Sequence, residues 1–151
     1  MTAPARPVVV IAGGGTGGHL YPGLALAEAL TAHGVAVTFV GTAGGIEARV
    51  VPAAGYPLRV LPGRPLRGGG LWRATAGILA AARGVLRGLG VLGELRPGLV
   101  VGVGGYASVA VVLAAWLRGV PTLLLEQNVV PGAANRLLGR IAQREIGRAH
   151  V

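Results

Sequence analysis

The stretch VVVIAGGGTGGH, Val8–His19, runs a block of β-branched residues straight into a cluster of glycines. Its apolar part has no polar–apolar alternation, so it reads as a strand covered on both faces, within Pro7–Ala12. The glycines then form a loop to His19, after which an Ala/Leu-rich helix runs from about Tyr21 to His33 and closes at Gly34. A buried strand, a glycine turn and a helix in direct succession form the opening unit of a parallel α/β sheet.

The same alternation continues to the end of the chain. Ala36–Val40 reads as a second strand, Ile46–Ala54 as a short helix ending at Gly55, and Leu58–Leu61 as a third strand. A Gly/Pro/Arg-rich loop at Pro62–Gly70 leads into a long helix over Leu71–Leu95. Leu99–Val103, Ala107–Leu117 and Thr122–Leu125 follow as strand, helix and strand, and a last helix starts near Pro131, a residue suited to a first helical turn. The expectation is one Rossmann-like domain over residues 1–144: a parallel sheet of order 3-2-1-4-5 with helices on both faces. Glu145–Val151 (EIGRAHV) breaks the apolar pattern and equals the translation of a common sequencing-adapter stretch, so it is expected to be a non-native tail.

Composition narrows the chemistry. All 14 basic residues are arginines, all five acidic residues are glutamates, and Lys, Asp and Cys are absent. A Walker-type P-loop lacks its lysine, and His19, His33 and His150 are too scattered to build a zinc site without cysteines. No metal and no cofactor is expected. The net charge of +9 does not point to nucleic acid, because the arginines are scattered and aromatics make up only 4%. An anionic lipid surface or a diphosphate suits it equally. The charge-free window Gly98–Leu117 is long enough to span a bilayer, but Gly104-Gly105 in its middle divides it into strand, turn and helix.

Glycines after a first strand let a backbone approach an anion, and the N–H groups of the next helix point at it. Gly13, Gly15 and Gly18 satisfy G-x-G-x-x-G, yet the second strand ends Val40-Gly41-Thr42 without the acid that a dinucleotide ribose needs. In the expected strand order, the turn Gly104-Gly105-Tyr106 faces the first glycine turn across the switch point, and Glu126-Gln127-Asn128 ends the fifth strand on the same edge. His19, beside the glycines, is the best-placed of the histidines to act as a base, or it caps the loop and only positions it. Glu126 could orient His19 or replace it.

GGGTGGHLYPGLALAEAL, GTAGGIEARVVPAAGYPL, RPLRGGG, GVGGYASVAVVLAAWLRGVPTLLLEQN and PGAANRLL together resemble the MurG family of bacterial glycosyltransferases, from Val8 to about Ala142. The resemblance implies the N-terminal, acceptor-binding half of a GT-B enzyme (glycosyltransferase family 28 type). Such enzymes move N-acetylglucosamine from UDP-N-acetylglucosamine to lipid I, the undecaprenyl-diphosphate-linked muramyl-pentapeptide, forming lipid II with inversion and without a bound metal. By that likeness Thr16, Gly17, Gly18 and Asn128 contact the donor, His19 matches the proposed base, and Glu126 matches a functionally important position. Gly14, Gly15, Gly104, Gly105 and Tyr106 are expected at the acceptor diphosphate, with Arg64 and Arg67 as further partners. The second domain, holding most of the UDP-sugar, is expected to lie outside this sequence, leaving the fragment inactive alone. A related transferase for another lipid or aglycone, or a non-catalytic module for lipid diphosphates, would carry many of the same features.

The long helix bears on location. At about 100° per residue, Arg73, Arg83 and Arg87 fall within roughly an 80° arc, with Trp72, Leu79 and Leu86 along its border. That suits an anionic bilayer surface, and equally an ordinary amphipathic helix with a solvated Arg face. The family's membrane-embedded substrate tips the expectation to peripheral attachment at the cytoplasmic face of the bacterial cell membrane.

Overall fold

The computed structural model describes residues 6–62, 71–128 and 133–147. In chain order the elements are β1 (Val8–Gly13), α1 (Gly17–Ala32), β2 (Ala36–Thr42), α2 (Glu47–Ala53), β3 (Leu58–Leu61), α3 (Leu71–Leu95), β4 (Leu99–Gly104), α4 (Tyr106–Leu117), β5 (Thr122–Glu126), α5 (Ala133–Leu138) and β6 (Arg144–Gly147). The strands pair in parallel in the order β3-β2-β1-β4-β5-β6. The expected 3-2-1-4-5 sheet is therefore present, with one strand added at its edge.

Two apolar layers follow from the period of two along each strand. Val10, Ala12, Val40, Val100 and Leu124 face α3, α4 and α5 and meet Leu92, Val111 and Leu138. Val9, Ile11, Val37, Phe39 and Val101 face α1 and α2 and meet Leu20, Ala27 and Val51. Burial on both faces explains why these strands carry no polar alternation. The charge-free window 98–117 resolves into β4, a glycine turn and α4. Among the described residues no helix is long and apolar enough to cross a membrane.

Glycine sets the spacing between α3 and α4. A Cβ at Gly88 would lie 3.1 Å from the Ala114 Cβ, and one at Gly84 would lie 2.9 Å from the Tyr106 hydroxyl and 3.2 Å from the Ala110 Cβ. Small residues thus face small residues, and the helices approach more closely than a Leu-lined seam would allow.

Two expectations are revised. The helix after the first turn begins at Gly17 rather than Tyr21. Glycine is a poor helix former, but first-turn N–H groups need no intrahelical partner, so the glycine loop itself supplies that turn. Of the expected tail, residues 145–147 join the sheet: Arg144–Gly147 pairs with Leu123–Glu126 as β6, and residues 148–151 lie outside the described residues. An edge strand needs only backbone groups for this, and Ile146 remains exposed, so the pairing adds no core contact from that side chain. The last described helix starts at Ala133, while the Pro131 start expected from sequence lies outside the described residues.

Candidate active site

β1 and β4 are adjacent, so the turns that follow them meet at the C-terminal edge of the sheet, where the strand order reverses. Contact between the turns is direct. The register slips by one residue between Ala12 and Gly13, bringing Gly13 opposite Gly104. The Gly14 N–H donates to the Gly104 carbonyl at 3.2 Å. Gly104 and Gly105 have φ of +107° and +85°, and a Cβ at Gly105 would stand 2.6 Å from the Gly14 carbonyl oxygen. Neither position tolerates a side chain without displacing its neighbour.

His19 lies half-buried in the first turn of α1, over the second glycine turn. Its Nδ1 is 3.0 Å from the Thr16 hydroxyl, and a Cβ on Gly104 would meet the ring at 2.6 Å from Cδ2 and 2.9 Å from Nε2. The absent side chain at Gly104 is what gives the imidazole its place. With Nδ1 protonated toward Thr16, Nε2 is left as a proton acceptor. Gly14, Gly15, Thr16, His19, Thr42, Glu47, Gly105, Tyr106 and Ala107 line a cavity of about 220 Å³. Thr16 and His19 line it with an alcohol and an imidazole, groups able to hydrogen-bond a hydroxyl and, for the imidazole, to take its proton.

Glu47 was not singled out in the sequence. It begins α2, is only 1% exposed, and turns its carboxylate back under the first glycine turn. Oε2 accepts the Gly15 N–H at 2.8 Å, and Oε1 accepts the Thr42 N–H and hydroxyl, each at 2.9 Å. Burial pushes this carboxyl upward, but the hydrogen bonds from Gly15, Thr42 and its own backbone together outweigh it, so its pKa lies below the ordinary value. No Cβ would fit at Gly14, Gly41 or Gly45, because each points at the Glu47 side chain. The acid missing from the end of β2 is thus supplied from the next helix, and it faces the glycine turn. The available signal was the spacing of Gly41 and Gly44-Gly45 before an isolated Glu.

Of the residues expected at a diphosphate, Gly14 and Gly15 have both N–H groups on internal acceptors, Gly104 O and Glu47 Oε2. Tyr106 lines the cavity but sends its hydroxyl to the Ala80 carbonyl of α3 at 2.8 Å, and burial raises its pKa. Arg64 and Arg67 lie outside the described residues.

Glu126 ends β5, 4% exposed, and does not line the His19 cavity. Its Oε1 accepts the Asn128 N–H and side-chain amide, each at 2.9 Å, and Oε2 accepts the Asn135 amide at 3.0 Å. A buried carboxylate held this way fixes Asn128 and Asn135. Asn135, also missed in the sequence, joins α5 to this edge. Between the two groups Gln127 reaches across, its Nε2 donating to the Gly18 carbonyl at 2.6 Å. No acceptor for the Gly17 or Gly18 N–H occurs among the described residues, leaving the first turn of α1 open to an anion.

On α3, Leu79 and Leu86 are 60% and 66% exposed, and Arg83 and Arg87 are exposed beside them. Val85, Leu89 and Leu92 turn inward instead. The helix therefore has both a packed face and a solvated Leu/Arg face. The side chains of Trp72 and Arg73 lie outside the described residues. Among the described residues no group of His and acidic side chains could hold a metal ion.

A doubly covered parallel sheet with two facing glycine turns and a histidine at its switch point defines a Rossmann-like domain of the kind used in GT-B glycosyltransferases. The chain belongs to glycosyltransferase family 28: its N-terminal domain model matches residues 9–146. The chain is 50% identical over 137 residues to the UDP-N-acetylglucosamine–N-acetylmuramyl-(pentapeptide) pyrophosphoryl-undecaprenol N-acetylglucosamine transferase of Myxococcus xanthus, covering 89% of this chain and 36% of that protein. The enzyme of the same name from Acidithiobacillus ferrooxidans is 48% identical over 136 residues, covering 90% and 38%. Among solved structures, Acinetobacter baumannii MurG superposes with a TM-score of 0.82 at 32% identity, over 94% of this chain and 41% of that one. The chain thus spans little more than a third of the length of these curated relatives.

Proposed function

We propose that this chain is the acceptor-side part of an inverting transferase that moves N-acetylglucosamine from UDP-N-acetylglucosamine to lipid I, giving lipid II for peptidoglycan. The reading rests first on the placement of His19 in a cavity between two glycine turns, in a family 28 domain. In the reaction, the acceptor hydroxyl oxygen bonds to the anomeric carbon as the bond to the UDP oxygen breaks. The hydroxyl proton passes to His19 Nε2, while Thr16 holds Nδ1. Open N–H groups of Gly17 and Gly18 meet negative charge on the donor, and Asn128, set by Glu126, adds a contact. Glu126 acts through Asn128 and Asn135 rather than as the base. The Leu79/Leu86 and Arg83/Arg87 face of α3 rests on the anionic cytoplasmic surface of the membrane, where a lipid-linked acceptor resides.

The test is a chimera in which this chain replaces the matching N-terminal part of the Myxococcus xanthus relative, supplied with labelled UDP-N-acetylglucosamine and lipid I. Label should enter lipid II, and His19→Ala should abolish transfer with the fold intact by circular dichroism. A folded chimera that hydrolyses or transfers nothing to lipid I would reject this acceptor.

A further inference from the structure

The carboxylate of Glu47 occupies the position in which a glycine turn would receive an anion. It is buried, takes the Gly15 N–H at 2.8 Å, and is anchored from the other side by the Thr42 N–H and hydroxyl. Gly14, Gly41 and Gly45 leave no room between their backbones and this carboxylate. The Gly14 N–H is also spent, on Gly104 O. A phosphate entering the His19 cavity would find neither of these two donors and would face a negative charge in the cavity wall.

We propose that Glu47 is a built-in anion of the first glycine turn, a positioning residue that holds Gly15–His19 in place and keeps phosphate out of the His19 cavity. The cavity then takes an uncharged, hydroxyl-bearing part of the acceptor, and the acceptor's diphosphate lies elsewhere. The assignment of the cavity to the acceptor rests on the function proposed above; the exclusion of phosphate rests on Glu47 alone. The division also suits the chemistry, since a hydroxyl must approach His19 Nε2 while the negatively charged leaving group departs from another side.

Titration of the 15N-labelled chain with sodium pyrophosphate at constant ionic strength tests this without donor or second domain. In the wild type, the Gly14 and Gly15 amide resonances should not move saturably in the millimolar range. Glu47→Gln keeps the shape and removes the charge. It should let pyrophosphate bind at the Gly15 amide at least about tenfold more tightly, the factor expected for loss of a like charge at close range. Saturable movement of the Gly15 amide in the wild type, or a folded Glu47→Gln chain with no gain, would overturn the proposal. Deuterium exchange in the wild type keeps the question open to refutation if the variant does not fold: Gly15 and Thr42 amides should exchange slowly, and rates like those of an open loop would overturn the brace. Failure of the chimera to glycosylate lipid I would reject the acceptor reading and leave these measurements intact.

Discussion

Gln127 makes the hydrogen bond that Pro22 cannot. In α1 the Gly18 carbonyl would accept the N–H of residue 22, but proline has none, and Gln127 Nε2 donates to that carbonyl at 2.6 Å instead. A helix defect and a strand-end side chain are thus one unit, tying the end of β5 to the first turn of α1 beside His19. Gln127→Leu should cost about 0.5–1 kcal/mol, the net worth of one exposed hydrogen bond whose carbonyl then turns to water. In a Pro22→Ala background the new N–H already meets that carbonyl, and the same substitution should cost close to nothing. A double-mutant cycle by urea denaturation measures the coupling; additive effects would disprove the link.

Gly104 holds the imidazole in place by having no side chain. Gly104→Ala puts a methyl group 2.6 Å from His19 Cδ2 at a φ of +107°. Strain at that angle costs on the order of 1–3 kcal/mol, and the ring must also move. The chimera's kcat should fall by about 100-fold or more if His19 takes the acceptor proton. Gly44→Ala is the control, since nothing lies within 4 Å of the Cβ position there. Equal activities in the two variants would remove His19 from the reaction.

Regular features of this domain were legible because they depend on local pattern. Uninterrupted apolar strands, glycine turns at their ends and Ala/Leu-rich helices produced the sheet order, and neighbouring β1 and β4 brought the two turns together. Glu47 and Asn135 were missed, and Gln127 was placed at the right edge without its partner, because what they do is set by tertiary contacts. Glu47 reaches back to residue 15 and Gln127 to residue 18. A further helical turn at Gly17 was hidden because glycine's low propensity says little where N–H groups need no internal partner. β6 was hidden because an exposed edge strand needs backbone pairing and little apolar patterning.

Glu47 should also give the domain a pH dependence. Its pKa is lowered in the fold, so its contribution is fully present above the unfolded value, about 4.3, and is lost as pH falls through the folded value. Glu47→Gln cannot titrate, so subtracting its stability from that of the wild type cancels the other carboxylates to first order. The difference in urea midpoint should be largest near neutrality and shrink as the solution is acidified below the ordinary glutamate range. A gap that stays constant through that range would show that the charge of Glu47 is not what the loop uses.

The proposed membrane attachment through α3 makes a separable prediction, because the packed and solvated faces of that helix are distinct. Arg83 and Arg87 are exposed, so the double substitution to Glu should leave stability within about 0.5 kcal/mol. Each arginine near an anionic surface contributes about 1 kcal/mol, so removing both should weaken binding to phosphatidylglycerol vesicles by roughly 30-fold, and charge reversal by more. High salt should erase most of that difference, because the attraction is screened within about 10 Å at 0.1 M. Leu86→Ser at the 66% exposed position should weaken binding at both salt concentrations, since its contribution is burial in the interface. Co-sedimentation of the chain with vesicles distinguishes the two effects. Binding unchanged in both variants would leave this face of α3 to solvent and move the contact with the lipid-linked acceptor to another surface.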